Sequence, residues 1–146
     1  MFTLRKTPRQ RLGAHGERLA ARYLAGLGYR IAARNVTVLL DARPGASAAL
    51  GELDIVAYDR TTLVFVEVKT RRRTGLLPAE RAVDTRKRAL LVRSAARYRS
   101  ALGLRGEPYR FDVVTVLLPK RGAPMVRHLR NYFLAPGIRR LPHFDT

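Results

Sequence analysis

The residues best suited to chemistry stand on two neighbouring segments, 52–59 and 62–70, which are rich in β-branched residues and predicted to form an antiparallel hairpin. Glu67 and Lys69 are two residues apart in the second strand, so their side chains share a face with two apolar neighbours. Ionisable groups buried in this way are costly unless they are paired or bind a metal. If the hairpin register brings Asp54 beside Glu67, two carboxylates and one ammonium converge in a cleft. Such hard oxygen ligands favour Mg²⁺ or Mn²⁺ over a softer metal.

A fourth ionisable group, Glu17, belongs to a predicted helix. It lies seven residues before Leu24 and therefore falls close to the apolar stripe of that helix. An acid on the core-facing side of a helix needs a partner, which a neighbouring metal site would supply. The simplest alternative is an ion pair with Arg18 or Arg22 on the same helix.

The other groups have structural alternatives as well. Glu67 and Lys69 could form an ion pair that only stabilises the end of a sheet. Asp54 could be an ordinary surface residue of its strand. The three histidines are too scattered along the chain to predict as metal ligands. The coincidence of four suitable groups in a strongly basic chain favours one shared site over separate structural roles.

The elements that must position these residues follow from the hydrophobic periodicity. A helix is predicted over 12–27, after a mobile basic arm at 1–11, and a second helix over 84–102 with Asp84 as its cap. Because the strand predicted at 109–118 follows this second helix, it can pair parallel to the strand at 62–70. The pattern predicts an α/β fold with the element order αβββαβ and a mixed central sheet flanked by helices.

Three further segments complete the predicted domain, which spans residues 12–134 and is followed by a tail at 135–146. The segment 29–38 is predicted to be extended. Small residues and the pair Pro44-Gly45 predict either a long loop or a loose hairpin tip over 41–51. The segment 125–134 is compatible with an edge strand or with a short helix.

Charge and composition narrow the classes of function. The chain has 146 residues, with 29 Lys and Arg against 11 Asp and Glu and a net charge of +18. A polyanionic partner makes such self-repulsion tolerable, so nucleic acid is the first candidate partner and an anionic membrane surface the second. The membrane surface is disfavoured because neither predicted helix has a bulky aromatic face. Five of the acids are concentrated between Asp41 and Glu67, where a protein that only coats a polyanion has no use for them.

Other classes are excluded more directly. The chain has no cysteine, which excludes disulfides and cysteine-ligated zinc. No apolar run approaches the roughly 18 residues of a membrane span. The basic N-terminus is not followed by an apolar segment, so no signal peptide is predicted and a cytoplasmic protein is expected.

The same residues carry a resemblance to a known family. The segments Gly-Glu-Leu-Asp-Ile-Val-Ala at 51–57 and Leu-Val-Phe-Val-Glu-Val-Lys-Thr-Arg at 63–71 resemble the signature of the YraN family, also called UPF0102. Segments at 16–24 and 110–114 resemble its first helix and its last core strand. The chain departs from the family at 38–50, where relatives are usually shorter, so the resemblance implies an inserted loop there. The resemblance implies a restriction-endonuclease-like fold of the PD-(D/E)xK class, close to the archaeal Holliday-junction resolvases.

The resemblance also implies roles for individual residues. Asp54 resembles the first motif acid, Glu67 the second, Lys69 the motif lysine and Glu17 the acid of the N-terminal helix. Asp54 and Glu67, with the carbonyl of Val68, would hold Mg²⁺ or Mn²⁺, and Glu17 could reach the metal directly or through water. Lys69 would orient the attacking water.

Nucleic acid, DNA in the first instance, is the partner that this interpretation expects. Glu52 stands where the superfamily pattern often has other residues, so its role is open. A solvated basic face is the structural alternative for the second helix. The residues expected to hold the nucleic-acid backbone are Arg71, Arg72, Arg73, Arg86, Lys87 and Arg93.

The expected function is therefore metal-dependent endonucleolytic hydrolysis of phosphodiesters, with branched DNA as a candidate substrate. A homodimer is implied by analogy with resolvases of this fold. The alternative is a nucleic-acid-binding protein that keeps the nuclease fold without catalysis.

Overall fold

A computed structural model of the chain describes residues 5–41, 43–45, 47–72 and 83–133. Within these ranges lie two helices and five strands in the order α1 (Pro8–Gly26), β1 (Arg30–Asp41), β2 (Ala49–Asp59), β3 (Thr62–Arg71), α2 (Thr85–Ala101), β4 (Tyr109–Leu117) and β5 (Met125–Phe133). The predicted order αβββαβ is confirmed, and β5 follows it as an additional strand.

Helix α1 begins earlier than the periodicity predicts. Thr7 is its N-cap: the Thr7 side chain accepts a hydrogen bond from the Gln10 N–H, and the Gln10 side chain accepts one from the Thr7 N–H. Pro8 follows the cap, where its missing N–H costs nothing. Residues 8–11, predicted as part of the mobile arm, are therefore helical.

The described strands form one mixed sheet in the order β1-β2-β3-β4-β5. Strands β3 and β4 are parallel, as predicted, and the other neighbours are antiparallel. The segment from Met125 is an edge strand rather than a short helix. Residue 134, the last of that predicted segment, lies outside the described residues.

The predicted inserted loop at 38–50 begins and ends as strand, because β1 extends to Asp41 and β2 begins at Ala49. Pairs Leu39↔Leu50 and Asp41↔Ala49 continue the β1–β2 ladder into both ends of this segment. A long loop over the whole segment is therefore wrong, and the hairpin alternative is confirmed. The physical reason is that backbone groups on adjacent extended segments pair even where the side-chain pattern is weak.

The two faces of the sheet carry separate cores. One face packs under α1 and includes Leu24, Ile55 and Val64, whereas the other packs under α2 and includes Phe65 and Leu91. This division follows from the alternation of side chains along β2 and β3. In the described part of the chain, no helix is both long and apolar enough to cross a membrane.

Candidate functional site

Strands β2 and β3 separate at Asp54 and Glu67, and this separation, called the fork below, creates the candidate site. Their ladder ends with the pair Ile55↔Val66; beyond it β2 continues beside β1 and β3 continues beside β4. In place of a strand partner, Asp54 Oδ2 accepts a hydrogen bond of 2.8 Å from the N–H of Val68. The predicted convergence of Asp54 with Glu67 is thus produced by the end of the ladder.

Glu67 is buried at the fork with only half of its carboxylate satisfied. Its side chain is 4% exposed, and Oε1 lies 3.0 Å from Lys69 Nζ and 3.5 Å from Lys87 Nζ. Oε2 is also buried but has no hydrogen-bond partner among the described residues. A buried carboxylate oxygen without a partner costs free energy unless a ligand supplies one.

Helix α1 brings Glu17 to the same place because its neighbour Gly16 lies directly on β3. A Cβ at Gly16 would overlap the side chain of Thr70, with Thr70 Cβ only 2.8 Å away. Burial raises the pKa of Glu17, a hydrogen bond with Asn35 lowers it, and the charge of Glu67 raises it further. None of the ion pairs in the described ranges joins Glu17 to Arg18 or Arg22, the simpler partners predicted for it.

The pKa of Asp54 is raised by burial and by the neighbouring negative charges. Burial is the largest cause and raises its pKa to about 7, and the charge of Glu67 acts in the same direction. The hydrogen bond from Val68 opposes this shift, while Glu17 adds to it and Lys87 reduces it. Three carboxyl groups therefore interact electrostatically, and a cation placed among them would favour their ionised forms.

The backbone of Val68 supplies a further oxygen. Its N–H points into the fork, toward Asp54. Because the N–H and C=O of one strand residue point to the same side, the Val68 carbonyl also faces the space that β2 has left. The fork therefore presents carboxylate and carbonyl oxygens, the donors that Mg²⁺ and Mn²⁺ prefer.

Asp54, Glu67 and the Val68 carbonyl would supply part of the ligand set of a divalent cation, but not all of it. Within the described ranges, no three His, Cys, Asp or Glu side chains are gathered closely enough to form a preformed metal cluster. The unpartnered Glu67 Oε2 nevertheless needs a partner, and Mg²⁺ usually keeps several waters besides one or two carboxylates.

A cleft of about 350 Å³ opens beside the fork, and of the three acids Glu17 alone lines it. Its lining includes Glu17, Val68 and Lys69 together with Arg9, Arg71 and Arg72. Of the other residues predicted to bind nucleic acid, Arg86 and Arg93 are exposed on α2, Lys87 contacts Glu67, and Arg73 lies outside the described residues.

Sequence reasoning missed Asn35 and the contact of Lys87 with Glu67. Asn35 has a left-handed backbone (φ 51°) and contacts Glu17; no periodic signal marks it. Lys87, which is predicted to hold nucleic acid, lies 3.5 Å from Glu67. Glu52 is exposed, and no hydrogen bond or ion pair in the described part of the chain joins it to the three acids.

Comparison with known proteins shows that the sequence is similar to one protein family. The sequence profile of the "Uncharacterised protein family UPF0102" matches residues 16–116. A UPF0102 protein of Nocardia farcinica is 40% identical over 125 residues, which cover 86% of this chain and 91% of the relative.

Two solved structures are similar at lower identity. SSO0001 is 16% identical with a TM-score of 0.38, and the match covers 86% of this chain but only 53% of that one. Hjc of Archaeoglobus fulgidus, a Holliday junction resolvase, is 20% identical with a TM-score of 0.36; the match covers 79% of this chain and 75% of that one.

Proposed function

Since this chain belongs to the uncharacterised protein family UPF0102, we propose its activity from the site itself: divalent-metal-dependent hydrolysis of nucleic-acid phosphodiester bonds. The observation that carries the proposal is the buried Glu67 carboxylate, which has one oxygen on Lys69 and the other without a partner in the described part of the chain. A structural ion pair would not require that second oxygen to be buried and unsatisfied.

Each residue of the fork has a distinct task in this proposal. Asp54, Glu67 and the Val68 carbonyl would hold the cation, and Glu17 would reach it directly or through a water. Bound Mg²⁺ or Mn²⁺ supplies Lewis-acid polarisation of the phosphate and a water of lowered pKa. Lys69 donates hydrogen bonds that orient the attacking water and offsets negative charge developing at the phosphate.

The basic side chains beside the cleft bind the substrate backbone. Arg71 and Arg72 line the same cleft as Glu17 and Lys69, and a guanidinium can donate two hydrogen bonds to one phosphate. Backbone contacts carry no base information, so recognition by shape is expected. DNA is the proposed partner, and branched DNA is the first substrate to test. The homodimer implied by analogy stays a prediction.

The direct test is cleavage of a labelled four-way DNA junction and its matched linear duplex in Mg²⁺, Mn²⁺ or EDTA, with an RNA duplex as a third substrate. We expect metal-dependent cutting by the wild type and a loss of at least about 100-fold in Glu67→Gln and Asp54→Asn. Both variants should bind DNA as tightly as the wild type or more tightly, because each removes a negative charge. Glu107→Gln, which alters an exposed acid remote from the fork, is the matched control.

A non-catalytic nucleic-acid-binding protein is the second candidate function. It is favoured by the two ammonium groups that already neutralise Glu67 Oε1 and by the lack of a three-residue metal cluster within the described ranges. Salt-sensitive binding without cutting in any metal would support it and overturn the nuclease proposal. Equal loss of binding in both acid variants, with lowered thermal midpoints, would instead identify misfolding.

A further inference from the structure

A second cavity lies at the turn between β2 and β3, at the other end of these strands from the fork. Its volume is about 660 Å³, within the usual range of small-ligand sites. Its lining combines hydroxyls with charged groups and is contributed by the start of β1, the β2–β3 turn, β4 and β5. The residues are Leu27, Tyr29, Asp59, Arg60, Thr61, Thr62, Arg110, His128 and Arg130.

The rear of this cavity is a rigid, charged network. The Asp112 side chain is fully buried and accepts hydrogen bonds from Arg110, from the Asn131 N–H at 3.0 Å and from His128 Nε2 at 2.8 Å. Because Asp112 can only accept in its ionised form, His128 Nε2 must carry a proton. The remaining ring nitrogen of His128, Nδ1, has no hydrogen-bond partner among the described residues, although the side chain is only 6% exposed.

Arg110 belongs to this network, and most of its N–H groups already donate hydrogen bonds. It donates to Asp112 through Nε and Nη2, to Asp59 through Nη1 and to Tyr29 through Nη2. Asp59 Oδ2 also accepts from Arg130 Nη2 at 3.1 Å. The one carboxylate that lines the cavity is therefore shared by two guanidinium groups and leaves excess positive charge at the opening.

The donors left for a ligand lie on Arg60 and Arg130. Arg130 is 63% exposed and uses one of its five N–H groups on Asp59. Arg60 makes no side-chain hydrogen bond or ion pair within the described ranges. It occupies the first position of a two-residue turn with a φ of 55°, where glycine is the favoured residue. The turn thus holds a guanidinium at the cavity rim in a backbone conformation that is unfavourable for arginine.

We propose that this cavity binds a phosphate monoester group. The forked donors of Arg60 and Arg130, both of which line the cavity, would contact the phosphate oxygens. The hydroxyls of Thr61 and Thr62 complete a set of donors that converges from several directions, which suits a tetrahedral dianion better than a planar carboxylate. The proposal does not depend on nuclease activity, because none of these residues belongs to the fork.

The test follows phosphate binding by residue-resolved NMR of the full chain. The probes are inorganic phosphate, a nucleoside 5′-monophosphate, and one oligonucleotide with and without a 5′-phosphate. We expect saturable shifts of the amides at 60–62 and 128–130, and binding weakened about tenfold in Arg60→Gly and in Arg130→Gln. Arg60→Gly should fold at least as stably as the wild type, because glycine suits this turn.

Arg105→Gln is the matched control, since it removes one exposed positive charge outside the cavity. Equal weakening in this control, absence of saturable shifts, or equal shifts at 60–62 and 128–130 from the oligonucleotide without its 5′-phosphate would overturn the proposal. Tight binding of the small phosphates identifies a free phosphorylated ligand, whereas binding of the phosphorylated strand alone identifies a strand end; both support the site. Glu67→Gln should retain this binding whether or not the chain proves to be a nuclease.

Discussion

Asp112 and Glu67 are both buried carboxylates, but the protein satisfies their charges to different extents. Asp112 receives hydrogen bonds on both oxygens from Arg110, His128 and the backbone of Asn131. Glu67 receives a hydrogen bond from Lys69 on one oxygen, and its other oxygen has no partner in the described part of the chain. We therefore assign Asp112 to the support of the fold and of His128, and Glu67 to the binding of a ligand.

Asp112→Asn should be strongly destabilising. It removes the more deeply buried of the two carboxylates paired with Arg110, so we expect the free energy of unfolding at neutral pH to fall by about 3–5 kcal/mol. Urea denaturation measures this change. Asp41→Asn is a matched control because the partner of Asp41, Arg43, is 81% exposed, and such surface pairs contribute about 0–1 kcal/mol.

The effect of Asp112→Asn should disappear in acid. Burial raises the pKa of Asp112, but hydrogen bonds from His128 and Arg110 outweigh burial and lower it below the ordinary value of 3.8. The stabilisation is therefore complete above the unfolded pKa and is lost as the pH falls through the lower folded pKa. A difference in stability between wild type and Asp112→Asn that stays constant below about pH 4 would contradict this assignment.

Lys69 and Lys87 reach the same oxygen of Glu67 from different elements, and their substitutions should have different effects. Lys69 Nζ is at 3.0 Å and lines the cleft, whereas Lys87 Nζ is at 3.5 Å and comes from α2. We expect Lys69→Met to lower the single-turnover cleavage rate at least about 100-fold, and Lys87→Met to lower it about tenfold or less. Equal losses, with DNA affinity measured separately, would show that the two lysines share one role.

At the scale of elements, the contact between α1 and β3 determines the position of Glu17. Gly16 permits this contact because any Cβ would overlap Thr70. Gly16→Ala should therefore displace the helix and lower the free energy of unfolding by about 1–3 kcal/mol. A Cβ at Gly13 would meet no atom within 4 Å, so Gly13→Ala should stabilise the same helix by up to about 1 kcal/mol. Thermal denaturation of the two variants compares them, and a shift in the same direction would contradict the close approach at Gly16.

The sequence made some of these elements predictable and not others. The alternation in β2 and β3 and the short connection between them indicate both the hairpin and the shared face of Glu67 and Lys69. The earlier start of α1 was also readable, because Thr7 and Gln10 have the spacing of a capping box.

Other features depend on long-range packing and could not be read locally. The β2–β3 ladder ends at Ile55↔Val66, and beyond this pair β2 stays paired with β1 and β3 with β4. The end of the ladder therefore depends on strands that are distant in sequence. The contact of Asn35 with Glu17 requires a left-handed residue within β1, which no periodicity indicates. The contact of Lys87 with Glu67 could not be read either, because helical spacing alone does not show that the first turn of α2 reaches the fork.

At the scale of the whole molecule, a basic protein with a net charge of +18 keeps three interacting carboxyl groups, those of Glu17, Asp54 and Glu67, at the fork. A cation among these acids would allow a phosphate to approach them, and the surrounding arginines would attract that phosphate over a longer range. The acidic and basic parts of the sequence therefore have complementary roles in the proposed function.

This arrangement predicts a salt dependence that distinguishes local contacts from the overall charge. The slope of log K against log salt is about −0.9 for each phosphate neutralised on a duplex. If Arg71 and Arg72 each contact a phosphate, the double variant Arg71→Gln/Arg72→Gln should reduce the steepness of this slope by about 1.8. Arg105→Gln/Arg121→Gln removes the same charge from exposed positions outside the cleft and should leave the slope nearly unchanged. Binding isotherms of Glu67→Gln on duplex DNA at several salt concentrations measure both slopes without cleavage. An equal decrease in the two double variants would mean that the total charge, rather than the arginines beside the cleft, holds the nucleic acid.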